Sequence, residues 1–160
     1  MGTTLPIERA HVADAAEILA LQKLAYQSEA AITNDYAIPP LTQTLEDITA
    51  QFANHVFLKV VEEGKIIGSV RAYQDDKGTC FIGRLIVDPD RQNKGLGARI
   101  LQAIEQAFLS ARRFELFTGT KSERNLYFYQ KAGYRPFKEE VLSEKVTLVY
   151  LEKLPQTKEL

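Results

Sequence analysis

Apolar residues recur along the chain with two different periods, and each change of period marks an element. Leu5 to Ala10 opens with a short strand pattern. Behind Asp14, the residues Ile18, Leu19, Leu21, Leu24 and Ala25 return at helical spacing. That series predicts a helix running to about Ala31. Thr33-Asn34-Asp35 and Pro39-Pro40 end it, because a residue before proline is pushed out of the helical region. Leu45, Ile48 and Phe52 share one face of a second helix over Thr44 to Ala53. Val56 to Val61 is then rich in β-formers, Glu63-Gly64-Lys65 turns it into Ile66 to Tyr73, and Asp75 to Gly78 turns again into Thr79 to Val87. This reads as a three-strand antiparallel meander.

The second half changes character. Leu96, Ile100, Leu101, Ile104 and Phe108 line one face of a helix, and Phe114 to Thr118 follows as a strand. Glu123 to Lys131 is a short helix with Gly133 placed as a left-handed cap. Tyr134 to Leu142 and Lys145 to Leu154 close the chain as a hairpin, and Pro155 to Leu160 reads as a loose polar end. The predicted order is β-α-α-β-β-β-α-β-α-β-β, an α/β (α+β) chain. Strand, helix and strand from Thr79 to Thr118 imply one parallel pair with a right-handed crossover.

Composition narrows the function. A chain of 160 residues suits one domain, residues 1–160, with a sizeable core. With 45% hydrophobic and 26% charged residues it fits neither a disordered chain nor a membrane protein. A formal net charge of -1 argues against strong sequence-independent nucleic-acid binding. One cysteine, Cys80, excludes an internal disulfide and a cysteine-based zinc cage, and it reads as a small buried apolar residue. Two histidines, His11 and His55, do not suggest a metal centre. No run is long enough to span a bilayer. The first six residues lack a charged and an apolar leader region, and Pro6 stands where myristoylation needs Ser or Thr. A cytoplasmic setting is the expectation, without nucleic-acid or membrane partners.

The densest candidate chemistry lies between a strand and a helix, at Arg91-Gln92-Asn93-Lys94-Gly95-Leu96-Gly97-Ala98. Gly95 and Gly97 let the backbone approach a ligand closely. The first amides of the next helix have no internal partner and carry the positive end of its dipole. Such an arrangement seats phosphates. A P-loop would need Gly-Lys-Ser/Thr, but Lys94 is followed by Gly95-Leu96. A dinucleotide fingerprint would need a third glycine at Ile100 and a place after the first strand of repeated βαβ units. A tight connection that merely uses two glycines is the bland reading.

The strand Arg84-Leu85-Ile86-Val87-Asp88-Pro89, the Gln92-x-x-Gly95-x-Gly97 loop and its amphipathic helix resemble the GNAT superfamily of acetyl-CoA-dependent N-acetyltransferases. A second segment agrees: Asn125-Leu126-Tyr127-Phe128-Tyr129-Gln130-Lys131-Ala132-Gly133-Tyr134 is similar to that family's later motif, a helix ending in Tyr-x-Lys-x-Gly-Phe/Tyr. The resemblance spans Ile7 to Lys153, and its specificity lies between Leu85 and Tyr134. It implies a mixed, mostly antiparallel sheet of about seven strands and about four helices, with a central parallel pair splayed to hold CoA.

It also implies roles for residues. Backbone groups of Leu85 and Val87 would hold the pantetheine arm, and an amide at Ile86 or Val87 would face the thioester carbonyl. Arg91, Gln92, Asn93, Lys94, Gly95, Leu96, Gly97 and Ala98 would cradle the pyrophosphate. Asn125 would reach the pantetheine arm; it also stands three residues after Ser122, at capping-box spacing. Tyr129, four residues before Gly133, would protonate the departing thiolate. A helix cannot turn Tyr127, Phe128 and Tyr129 inward together. The implied reaction is direct transfer of acetyl to a primary amine, with acetyl-CoA as co-substrate and no metal. A non-catalytic acyl-CoA sensor is the alternative, and Tyr129 argues against it. Glu29, Asp35, His55 or a water are open candidates for the base. Tyr26, Tyr36 and Ile38 lie in the segment that would shape the acceptor pocket, a small-molecule or protein amine being the acceptor. The family often dimerises, and the C-terminal strands are a plausible contact.

Overall fold

The computed structural model describes residues 4–155. Residues 1–3, and all but the first residue of the polar end Pro155 to Leu160, lie outside the described residues. Seven strands form one sheet in the order β1-β2-β3-β4-β5-β7-β6. These are β1 (Ile7–Arg9), β2 (Val56–Glu62), β3 (Lys65–Gln74), β4 (Thr79–Val87), β5 (Arg113–Gly119), β6 (Arg135–Val141) and β7 (Thr147–Lys153). Every pairing is antiparallel except β4 with β5. The meander, the parallel pair and the closing hairpin therefore stand where the alternation of residues placed them.

The helical first third differs from expectation. The predicted single helix is two, α1 (Ala15–Ala25) and α2 (Gln27–Thr33), with the break at Tyr26 (φ -83°, ψ 0°). Local competition explains the break. The Gln27 amide donates to Lys23 O (3.2 Å) and the Ser28 hydroxyl to Ala25 O (3.3 Å), capturing carbonyls that a continuous helix would use. Asn34 ends α2 in the left-handed region (φ 52°), which asparagine tolerates. Pro39-Pro40 does more than stop a helix: it starts one, α3 (Pro39–Thr42). Proline suits a first helical turn, and Ile38 before it is extended. α4 (Leu45–Gln51) begins at Thr44, whose hydroxyl accepts from Asp47 N (3.1 Å) in a capping box.

The sheet carries a helical layer on each face. On one side Ile18, Leu19 and Leu21 of α1 and Ile48 of α4 pack on Phe57, Ile66 and Ile86. On the other, Leu96, Ile100, Leu101 and Ile104 of α5 (Leu96–Gln106) cover Val60, Ile67, Val70 and Ile82. α6 (Glu123–Lys131) adds Leu126, Phe128 and Tyr129 to that side. Tyr134 is 1% exposed, and its hydroxyl donates to Glu105 (2.7 Å), tying the start of β6 to α5. Gly133 caps α6 with φ 102°, a conformation costly for any residue with a Cβ.

Asp88 fixes the exit of β4 toward the glycine loop. Its amide donates to Ile67 O (2.8 Å), and its buried carboxylate accepts from Asp90 N (2.9 Å) and pairs with Lys65 (3.3 Å) and Arg91 (3.6 Å). The Asp90 amide, with Lys65 and Arg91, holds the Asp88 carboxyl below the usual range. A depressed folded-state pKa gives stability that is complete above the ordinary carboxylate range and is lost as pH falls through the depressed value. Asp88→Ala is expected to lower unfolding free energy by about 1–2 kcal/mol near neutral pH. In urea titrations the gap from the wild type should close in strong acid; a gap that persists there would contradict this assignment.

Candidate active site

β4 and β5 run together for only three residue pairs, Thr79 with Arg113, Cys80 with Phe114 and Phe81 with Glu115. Beyond that, β5 pairs with β7 and β4 with β3 alone. A bulge helps to part them. Ser69 opposes Ile86 and Arg71 opposes Gly83, so β4 spends one more residue than β3 over this stretch. Arg84, in that stretch, takes φ 50°. Downstream the alternation is regular. Asp88 N turns toward β3, as Ile86 does, so the amides of Leu85 and Val87 face the gap. A row of backbone donors and acceptors is left there without a strand.

The gap opens into a cavity of about 1060 Å³. Leu85, Ile86 and Val87 line it from β4, and the start of α5 closes one end. Gly95 is the N-cap of α5 with φ 80°, and a Cβ there would meet nothing within 4 Å. Gln92, Asn93, Leu96, Gly97 and Ala98 also line the cavity. The Phe128 ring approaches to 3.5 Å of where a Gly97 Cβ would stand, so α6 packs directly over the loop. Arg91 reaches the cavity wall, but its guanidinium already binds Glu62 (2.6 Å) and Asp88 (3.6 Å). Lys94 is exposed and does not line the cavity. A different cation takes that place. Arg124 donates to Gln92 Oε1 (3.0 Å) and Asn93 Oδ1 (2.9 Å). Sequence reasoning missed it. Its signal was a cation in the first turn of a helix, where the dipole disfavours positive charge.

α6 delivers the polar groups facing the loop. Tyr129 lines the cavity, its ring edge-on to Phe128 (5.3 Å) and Tyr134 (6.1 Å). Burial raises its phenol above the usual tyrosine range, with Tyr26 and Glu29 adding to the rise. Tyr127, by contrast, is 68% exposed. Asn125 does not complete a capping box. Its amide donates to Glu29 Oε1 (2.6 Å) and Thr118 Oγ1 (3.2 Å), and Ser122 makes no side-chain cap bond. Glu29 thus arrives at α6 from α2, carried there by the break at Tyr26. Burial raises its carboxyl above the usual range, opposed by the Ser122 hydroxyl and the Arg124 charge.

The other candidates for a proton acceptor lie elsewhere. Asp35 accepts from Ala37 N (3.0 Å) and is not among the residues lining the cavity. His55 bonds Asn54 Oδ1 (2.6 Å) and packs edge-on to Tyr73 (4.8 Å), also away from the cavity. Cys80 is fully buried, and burial pushes its thiol up to about 12, so it is packing rather than nucleophile. No group of three or more His, Cys, Asp or Glu side chains suited to a metal ion occurs among the described residues. No described helix is long and apolar enough to cross a membrane.

Known proteins agree with this architecture. YqkA of Bacillus subtilis, a UPF0157 protein, is 32% identical over 121 residues. That match covers 76% of this chain and 34% of YqkA, so the chain spans about a third of that relative. PaiA N-acetyltransferase of Thermoplasma acidophilum, solved in complex with coenzyme A, superposes with a TM-score of 0.78 at 15% identity over 96% of this chain and all of that one. YncA of Salmonella typhimurium, solved with acetyl-CoA, gives 0.75 at 16% identity over 99% and 98% of the two chains. Residues 17–134, from the first helix through the Gly133-Tyr134 cap, match the acetyltransferase (GNAT) family, and the chain belongs to it.

Proposed function

We propose that the protein transfers an acetyl group from acetyl-CoA to a primary amine. The observation that carries this reading is the open edge of β4, which ends at the amide-lined start of α5 on one side and at Tyr129 on the other. The edge suits an amide-bearing arm such as pantetheine, which can hydrogen-bond to Leu85 and Val87 as a strand would. The α5 amides, with Gln92, Asn93 and Arg124, suit a pyrophosphate.

Acetyl-CoA supplies the activated carbonyl carbon; the chain supplies position and protons. The acceptor nitrogen bonds to the thioester carbon as the carbon–sulfur bond breaks. The Val87 amide faces the oxygen on which negative charge develops. Glu29 takes the proton that the nitrogen loses, and Tyr129 gives one to the departing sulfur. Solvent then restores both groups, so an amide and a free thiol leave. Glu29 suits its part because burial makes it a better base than an ordinary carboxylate. Tyr129 suits its part because the same burial keeps the phenol protonated through the physiological range.

Steady-state assays with acetyl-CoA and an amine panel test the reaction. Tyr129→Phe is expected to lower kcat about 100-fold with acetyl-CoA Kd within about twofold. An unchanged kcat removes Tyr129 from the chemistry. The wild-type rate should rise with pH through the elevated Glu29 pKa, because the deprotonated form acts. Glu29→Gln should lower kcat and flatten that limb; a retained limb would assign it to another group. Arg124→Ala is expected to weaken CoA about tenfold, an effect that diminishes with added salt. Equal affinity for CoA in wild type and variant would remove Arg124 from the phosphate seat.

A further inference from the structure

Arg71 is an uncommon core residue. It is 4% exposed, on β3 beneath α1, with its guanidinium 5.3 Å from the Phe57 ring centre. Its hydrogen bonds go to two neutral oxygens, Gln22 Oε1 (3.2 Å) and Gln43 Oε1 (2.8 Å). Those glutamines are held in place by their own donors. Gln22 Nε2 reaches Pro40 O (2.8 Å), and Gln43 Nε2 reaches Gln51 Oε1 (3.1 Å). Arg71 takes part in none of the ion pairs among the described residues. A buried cation normally has a carboxylate beside it, because desolvation is costly without one.

Arg84 compounds the imbalance. It follows Gly83, the residue opposite Arg71 across the β3–β4 ladder, and its charge adds to burial in lowering the Arg71 guanidinium to about 9. It too joins no ion pair, and its buried Nε has no hydrogen-bond partner. Unlike Arg71, it lines the cavity. Its backbone sits at φ 50°, where glycine would be free of strain. An arginine placed there suggests a use for the side chain itself.

The opposite charge lines the same cavity. Glu29 is fixed to Asn125 of α6, and Tyr26, which lines the same cavity, is buried and feels Arg84 and Arg71 as well as Glu29. The acceptor end thus has a negative pole beside the expected attack position and a positive pole at the β4 bulge. A bare amine or polyamine would be repelled by the second pole. An amine that also bears a carboxylate matches both. We propose that the acceptor is an amino-acid-like zwitterion whose carboxylate is held by Arg84, with Arg71 behind it as a fixed positive field. Arg84 is here a specificity residue. The planar guanidinium fork fits a carboxylate in a bidentate pair. The inference rests on the transferase reading for the identity of the other ligand, but the anion seat stands or falls separately.

Two measurements test it. The first compares kcat/KM for free amino acids, for the same amino acids as primary amides, and for spermidine, all with acetyl-CoA. The best amino acid is expected to exceed its amide by about 10- to 100-fold. Arg84→Gln should bring that ratio near one with CoA affinity retained. Arg84→Gly relieves the backbone and should do the same in a chain that folds at least as well. Amides or spermidine acetylated as well as every amino acid would overturn the proposal, as would a ratio that survives both substitutions. The second titrates amino acids and N-acetylamino acids into CoA-saturated protein by calorimetry. If nothing in the panel is acetylated but carboxylates bind and Arg84→Gln abolishes that binding, the anion seat holds and the transferase reading falls. If no carboxylate binds the CoA-saturated protein, the anion seat is wrong.

Discussion

Backbone hydrogen bonding that stops after three residue pairs organises this molecule. β4 and β5 share a parallel ladder at Thr79, Cys80 and Phe81, then separate, while each keeps its other neighbour. A sheet interior does not normally leave amides and carbonyls without partners. Here the cost is borne because the outer strands hold the two halves firmly: β3 pairs along the length of β4, and β7 along the length of β5. The bulge opposite Ser69 and Arg71 turns β4 away, and the core beneath α5 keeps its base closed. The result is a slot whose walls already offer strand-like hydrogen bonds to a ligand.

Every other feature of the site takes its position from that slot. Asp88 ends β4 and aims the chain into the glycine loop, so the α5 N-terminus lies at one mouth. α6 returns across the loop with Phe128 against Gly97, and this contact sets the depth at which Tyr129 stands. The helix break at Tyr26 swings Glu29 within 2.6 Å of Asn125. Charges on the slot are thereby sorted. Arg124 lies at the loop, Glu29 against Asn125 of α6, and Arg84 at the bulge.

Much of the scaffold was legible because its signals are local. The alternation in Val56 to Val87, the helical spacing from Leu96 to Ile104 and the Gly133 cap each need only neighbouring residues. Gly95, Gly97 and Tyr129, which all line the cavity, were named through a resemblance in which both motifs keep their order. What escaped depended on contacts between distant segments. Glu29 was one of several candidates until the α2 geometry brought it to Asn125, 96 residues away in sequence. Arg124 reaches the loop from 32 residues on. The break at Tyr26 and the start of α3 at Pro39 were hidden because the same residues read equally well as a longer helix and a stop. The register that sets Arg71 opposite Gly83, next to Arg84, has no periodic signature at all.

Hydrogen exchange at single amides, read by NMR with and without CoA, addresses the slot most directly. Leu85 is expected to exchange fast in the free protein and to slow by at least about tenfold when CoA is added, as a new strand-like partner forms. Ile86, already paired toward β3, should change little. If Leu85 is equally protected in both states, or remains fast when CoA is saturating, the open edge of β4 is not where the ligand's arm lies.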